Sequence, residues 1–299
     1  MRRLTPYIVI ICFMLSFGCT TDNKQGRTYT SGSTKIIADE SFFPIIDDQL
    51  YVFKNRYPKA DVEISYLPEN QLINEFLSDK ARIVILPREL KPHEAKVYEN
   101  KNIRVRSTRF AVDAIALISH KSINDTTVDV SEIIDAMKGN SGSIKRLVFD
   151  NANSSTVQYL MNLAGIKLLP EKGVYALKSN PEVIKYVYNN PGAIGVIGVN
   201  WIRQPGKELE KYLKEIKVLG VKNLPGKPGS DNYYKPSQDN LAMGLYPLTR
   251  DLYIINCSGG PSAGAGFASF LAGEVGQRII LKSGLLPDSV PPREILIRK

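Results

Sequence analysis

The sequence predicts an α/β chain of two lobes, each a mostly parallel sheet covered by helices, with two long strands crossing between them. Three observations carry this. From Lys35 onward, short apolar runs of strand length alternate with amphipathic runs of helix length, the signature of a parallel sheet clothed in helices. Two stretches, IRVRSTRFAVDAIALIS and LYPLTRDLYIINC, are long uninterrupted β patterns suited to passing from one lobe to the other. The three cysteines form neither a disulfide framework nor a zinc spacing, so the fold must rest on a large core rather than on staples.

Taken in order, KIIAD reads as a strand, and FFPIIDDQLYVFKNRYP as a helix with Pro44 in its first turn and Ile45, Ile46, Gln49, Leu50 and Phe53 on one face. ADVEISYL is a strand, ENQLINEFLSDK a helix, ARIVILP a strand and KPHEAKVYEN a helix. After the first long β run, SEIIDAMKG is a helix with Ser131 as N-cap and Gly139 as its stop. KRLVFD is a strand leading into the helix SSTVQYLMNLAG. PEVIKYVYNNPGAIGVIG supplies a helix from Pro181, a turn at Asn189 to Gly192 and a glycine-punctuated strand. PGKPGSDNYYKPSQDN is a loop. The second long β run follows, then one or two helices in GFASFLAGEVGQRIILKSG and a last strand in REILIR.

The N-terminus sets the expected compartment. Arg2 and Arg3 precede the apolar run Tyr7 to Leu15, which falls short of the ~20 residues a spanning helix needs and fits a secretory signal. Residues 1–18 are read as that signal. Gly18 before Cys19 resembles a lipoprotein signal, with Cys19 lipidated; an ordinary signal cleaved nearby is the alternative. Residues 19–34 are small and polar, and read as a flexible tether. Lobe 1 is assigned residues 35–111 plus 246–299, and lobe 2 residues 112–245. Removing Arg2 and Arg3 from a net charge of +9 leaves +7. These charges are interspersed without a basic block, which argues against nucleic acid as a partner.

The chemistry concentrates at one strand-to-helix junction, where Asn151, Asn153, Ser154, Ser155 and Thr156 follow one another closely. Capping needs one such residue and is worth ~1 kcal/mol. A run of them admits a second reading. The first amides of a helix have no intrahelical acceptor and carry about half a positive charge, so an anion can sit there while neutral hydroxyls donate to it. Arg88 follows a strand end, where open sheets present ligand contacts. It can hold an oxyanion in a bidentate pair or form a salt bridge with Glu89 or Asp113. Asp39 and Glu40 read as solvated or paired loop acids, one of them able to accept from a protonated ligand oxygen. Trp201, Tyr233, Tyr234 and Tyr246 are expected to pack, and Cys257 to be a small buried hydrophobe. His93 and His120 are the only histidines, and no nucleophile elbow, H-E-x-x-H or phosphate loop is present. The chain is therefore expected to be no enzyme, with no metal and no cofactor.

Six segments, ESFFPIIDDQLYVFKNRYPKADVEIS, RIVILPREL, VDAIALISHKSIN, NNPGAIGVIG, YPLTRDLYI and FASFLAGEVGQRIILKSGLLP, occur in an order that resembles the substrate-binding proteins of ABC transporters. The branch they resemble is the phosphate-binding one of the type II-like periplasmic-binding-protein fold. The resemblance implies an extracytoplasmic, lipid-anchored monomer in the periplasm or cell envelope that captures phosphate or a related oxyanion between its lobes and delivers it to a membrane permease. It places the ligand-binding residues at Ser41 and Phe42 in the first loop, Arg88 after the third strand, and Asn153, Ser154, Ser155 and Thr156 at the helix start. Three departures from the pattern add negative charge or remove donors: Glu69 in place of a small hydroxyl residue, Leu86 and Pro87 in place of serine or aspartate, and Asp150 where some members carry arginine. They leave open an alternative, an envelope scaffold or sensor that keeps the fold with an eroded phosphate site. An envelope hydrolase is a third reading, opposed by the lack of a nucleophile–base pair.

Overall fold

Strand β1 (Gly32–Asp39) buries its last four residues, Ile36 to Asp39, and has a parallel neighbour on each side. These are β2 (Ala60–Leu67) and β3 (Ile83–Leu86). The apolar positions at helical spacing turn inward from the connecting helices: Ile45, Ile46 and Phe53 from α1 (Phe43–Arg56), and Leu72 and Phe76 from α2 (Glu69–Leu77). Helix α3 (Pro92–Glu99) leads into β4 (Arg106–His120), a 15-residue strand. The computed structural model describes residues 28–140 and 142–289. The expected signal, Cys19, most of the tether and the strand REILIR lie outside them.

Strand β4 changes partners along its length. Residues 106–114 pair antiparallel with β11 (Thr249–Asn256), and residues 115–118 with β8 (Ile194–Gly198). One side of the sheet is thus built on β1 to β3, the other on β8 with its parallel partner β6 (Leu147–Phe149) and then β7 (Val174–Ala176). The strand order is β2-β1-β3-β11-β4-β8-β6-β7, with β9 (Ile216–Val218) and β12 (Leu286–Pro287) also paired to β4. Helices α4 (Val130–Met137), α5 (Ser155–Ala164) and α6 (Asn180–Asn189) pack on the second half, while α10 (Ala263–Ala272) and α11 (Glu274–Lys282) return to the first. The two-lobed α/β expectation is borne out. Tyr246, buried just before β11, donates its hydroxyl to the Ile115 carbonyl at 2.6 Å and ties the two long strands at the point where β4 switches partners.

The structure corrects several details. Gly32 to Thr34 belong to β1 rather than to a tether, because their backbone pairs with Ala60 to Val62. The N-cap of α4 is Asp129, not Ser131: Glu132 reaches back to accept from the Asp129 amide at 2.8 Å, which fixes the start earlier. The long loop contains a short helix, α9 (Gln238–Ala242), started by Ser237. It follows two other short helices, α7 (Asn200–Arg203) and α8 (Glu210–Leu213). Strands β5 (Thr127–Asp129), β7, β9 and β10 (Gly220–Lys222) escaped the reading, since three residues carry no detectable period. No helix among the described residues is long and apolar enough to cross a membrane.

Gly195, in the middle of β8, faces the side chains of Val187, Val183 and Ile118, which a Cβ would meet at 2.7, 2.8 and 2.9 Å. Gly195→Ala is expected to destabilise the fold by about 1–3 kcal/mol through overpacking, read as a lower midpoint in urea with an unchanged slope.

Candidate functional site

The site begins with a charge pair that strand register dictates. Arg250 of β11 stands directly opposite Asp113 of β4, and the strands bring their side chains together in the interior. Arg250 Nε donates to Asp113 Oδ2 at 2.9 Å and Nη2 lies 2.8 Å from the same oxygen. Arg250 is 5% exposed and Asp113 not at all. A charge of either sign buried this deeply needs its partner. The guanidinium also lies over the Phe42 ring, 4.7 Å from its centroid.

The remaining donors of Arg250 meet hydroxyls from both lobes. Nη1 donates to Ser155 Oγ at 2.8 Å and Thr156 Oγ1 at 3.4 Å, both at the start of α5, while Nη2 donates to Ser41 Oγ at 3.2 Å. Four of the five guanidinium hydrogens thus have a hydrogen-bond acceptor, and Nη2 adds an ion-pair contact to Asp113. Ser41 Oγ and Ser155 Oγ are 3.3 Å apart, one from each side of the cleft. Ser41 is itself fixed from three directions. Its hydroxyl donates to Asp39 Oδ1 at 2.6 Å, and its carbonyl accepts from Asn200 Nδ2 at 3.1 Å and Trp201 Nε1 at 2.9 Å across the cleft. Gly198 permits this approach, since a Cβ there would lie 2.7 Å from Asn200 Oδ1.

Carboxylates surround the cluster. Asp39, Asp113 and Asp150 are fully buried, and among the described residues Asp39 Oδ2, Asp113 Oδ1 and Glu40 Oε1 have no hydrogen-bond donor. Burial pushes Glu40 up to about 7, with repulsion from Asp150 and Asp39 adding to it. Asp150 is pushed up to about 6, again chiefly by burial, although Ser154 and the Asn151 amide stabilise its charge. Asp113 is raised too, because complete burial outweighs the pull of Arg250. The groups left unpaired at the centre are acceptors, so a bound species must bring donors as well as negative oxygens.

The expected site residues divide. Ser41, Phe42, Ser155 and Thr156 converge on Arg250. Ser154 takes the ordinary structural part, capping α5 by accepting from the Val157 amide at 3.3 Å. Asn153 sits at the exposed rim, where its backbone and side-chain oxygens both accept from Asn70 of the other lobe at 3.4 Å. Arg88 pairs with neither Glu89's carboxylate nor Asp113. It donates to Glu69 at 2.6 Å and to both oxygens of Glu94 at 2.8 and 3.0 Å, because the turn after β3 brings the starts of α2 and α3 against it. Together with Ser155 and Arg250 it lines a crevice of about 160 Å³. Arg250 and Asn200 are not among the expected site residues, and Trp201, expected only to pack, also donates to the Ser41 carbonyl. A lone arginine within PLTRDLYII and a lone aspartate within FAVDAIALI are charges inside apolar runs, and such a pair was the available signal.

A family model described as the PBP superfamily domain matches residues 23–275. No curated protein matches the chain. Among solved structures, a Clostridium perfringens protein described as a phosphate ABC transporter substrate-binding protein, with bound phosphate, is 20% identical; the match covers 86% of this chain and 100% of that one, with a TM-score of 0.69. An ABC-type phosphate transport receptor from Vibrio cholerae is 19% identical over 86% and 100% of the two chains, with a TM-score of 0.64. The regulatory domain of CcmR from Synechocystis, in complex with 2-PG, is 15% identical over 81% and 96%, with a TM-score of 0.52. With a family model matched over most of its length and a described fold that agrees with it, this chain belongs to the periplasmic-binding-protein superfamily.

Proposed function

We propose that the chain is an extracytoplasmic solute-binding lipoprotein that captures phosphate or a closely related oxyanion between its lobes and delivers it to an ABC permease. One observation carries the reading: a buried guanidinium, hydroxyls from both lobes and the leading end of a ten-residue helix meet at one point of the cleft. An anion arriving there replaces hydroxyl oxygens on the guanidinium, and the helix amides supply further donors. The same exchange requires Ser41 and Ser155 to part, so opening and closing of the lobes is built into binding. Asp39 Oδ2 and Asp113 Oδ1, acceptors without partners, suit the P–OH groups of monobasic phosphate. The names of the Clostridium and Vibrio neighbours agree with this reading.

A second reading, the scaffold or sensor, is favoured by the protein acceptors that already take most of the Arg250 donors and by the surrounding carboxylates. The 2-PG complex illustrates that this fold also serves regulatory domains. The two readings part in calorimetry with phosphate, sulfate and molybdate at low salt. Capture predicts phosphate binding that weakens at least tenfold in a Ser155→Ala, Thr156→Ala variant, about the loss of one hydrogen bond to a charged group. Absence of heat with every anion supports the scaffold.

Removing Arg250 alone strands Asp113 and is expected to destabilise the protein by about 3–5 kcal/mol. Asp113→Leu with Arg250→Met is expected to recover most of that stability in thermal unfolding, yet not to bind phosphate.

Glu40 and Asp150 hold protons through burial, so their contribution to stability is present below their ordinary ranges, near 4.5 and 3.8, and is lost as pH rises through about 7 and about 6. Both become negative beside the bound anion over that interval. Phosphate affinity is therefore expected to fall between pH 6 and pH 8, and Glu40→Gln to flatten the fall; an unchanged slope in the variant contradicts the assignment.

For the anchor, Cys19→Ala is expected to move the chain from the membrane fraction to the soluble one. Retention in membranes contradicts lipidation at that residue.

A further inference from the structure

On the far side of Ser41 from Arg250, the cleft holds a second cavity of about 210 Å³ whose chemistry is different. Three aromatic rings form its walls. Phe43, at the start of α1, meets Tyr66 of β2 edge-on, with centroids 5.0 Å apart and planes at 73°. It lies nearly parallel to Trp201 of α7, at 6.2 Å and 21°. The indole is anchored by its hydrogen bond to the Ser41 carbonyl, so its ring is held in place against the slot.

The polar atoms of the slot are left unpaired, and they are acceptors or can act as acceptors. Glu40 Oε1, Tyr66 Oη and Asn180 Oδ1 are each buried without a hydrogen-bond partner among the described residues. Asn180 is the most constrained of them. It is 2% exposed and its Nδ2 donates to Asp150 Oδ2 at 3.0 Å, which fixes the amide so that the unpaired end is the oxygen. No lysine or arginine lines the cavity, while Asp39 and Asp150 stand close enough to repel ionisation of Glu40. Packing alone does not account for these features. An aromatic core is satisfied by apolar contact and gives no reason to bury three unpaired polar atoms, each costly in isolation.

We propose that this slot binds an alkylammonium group, held by the faces of Phe43, Tyr66 and Trp201 and by the oxygens of Glu40 and Asn180. Ring faces carry the negative end of the aromatic quadrupole, and a cation among several of them is attracted most when it leaves water. A cation in the slot favours the ionised form of Glu40, whose carboxylate then supplies the countercharge. Beyond the Tyr66 and Ser179 hydroxyls and the leading end of α6, the lining offers a phosphate or sulfate no cationic group, and an alkyl group without charge leaves the polar oxygens without electrostatic compensation. The slot stands beside the oxyanion site, separated from it by Ser41, whose hydroxyl faces Arg250 and whose carbonyl faces Trp201, while Glu40 lies near both.

Trp201 is the only tryptophan in the sequence, so its fluorescence reports on the slot. The test titrates the full chain with choline and, in parallel, with 3,3-dimethyl-1-butanol, its uncharged carbon isostere. Choline is expected to give a saturable change with at least tenfold higher affinity than the isostere, the effect of desolvated cation–aromatic contact. Tyr66→Leu and the surface-accessible Phe43→Ala are each expected to weaken choline at least tenfold, while phosphate affinity measured by calorimetry on the same samples stays within twofold. Equal affinities for choline and the isostere, or no saturable change with choline, overturns the proposal. Choline binding without phosphate binding upholds it and removes the oxyanion reading instead; phosphate binding without choline binding does the reverse.

Discussion

The buried pair of Arg250 and Asp113 is the constraint around which the rest of the cleft is organised. It lies on the two strands that hold the lobes together, in direct register, at the edge of the segment where β4 exchanges one set of partners for another. An ion pair in such a place is a poor source of net stability compared with apolar residues of the same shape, yet breaking it leaves a charge the interior cannot solvate. Its position has a further effect. The remaining hydrogens of the guanidinium point away from Asp113 and must find acceptors, and the hydroxyls that meet them come from opposite lobes. One strand pairing thus sets where the lobes touch.

Membership of the superfamily explains the architecture and leaves the ligand to the residues of the cleft. Those residues form two chemically distinct ends on either side of Ser41: donors, a positive charge and a helix start on one, aromatic faces and unpaired acceptors on the other. Acidic side chains pervade both. On the donor end they leave acceptors beside the guanidinium, and on the aromatic end they leave acceptors beside the rings. The acids Glu69 and Asp150, departures from the family pattern, have structural partners in Arg88 and Asn180. Their negative charge is therefore partly offset locally.

Much of the fold was legible because long, periodic segments state their structure in their own sequence. ADVEISYL and the helix behind Pro44 lie where the apolar spacing puts them. Four of the three-residue strands, β5, β7, β9 and β10, were not legible, since their pairing is decided by the neighbours they meet. The site divides in the same way. Ser155 and Thr156 were visible because four hydrogen-bonding residues in succession exceed what a cap requires. Arg250 was legible only as a lone charge in an apolar run; its pairing with Asp113, 137 residues distant, is revealed by the register of two strands alone. Arg88 stood open between a ligand contact and an ion pair; the ion pair forms, with Glu69 and Glu94 as partners that no sequence spacing names.

The most direct test is a crystal structure of the protein grown with phosphate and diffracting well enough to place the ion. The anion is expected within hydrogen-bonding reach of the Arg250 guanidinium and of the Ser41 and Ser155 hydroxyls, with those two hydroxyls farther apart than the 3.3 Å that separates them here. An ion bound elsewhere, with Arg250 still donating to both serines and to Asp113, contradicts the claim that this cluster is the capture site.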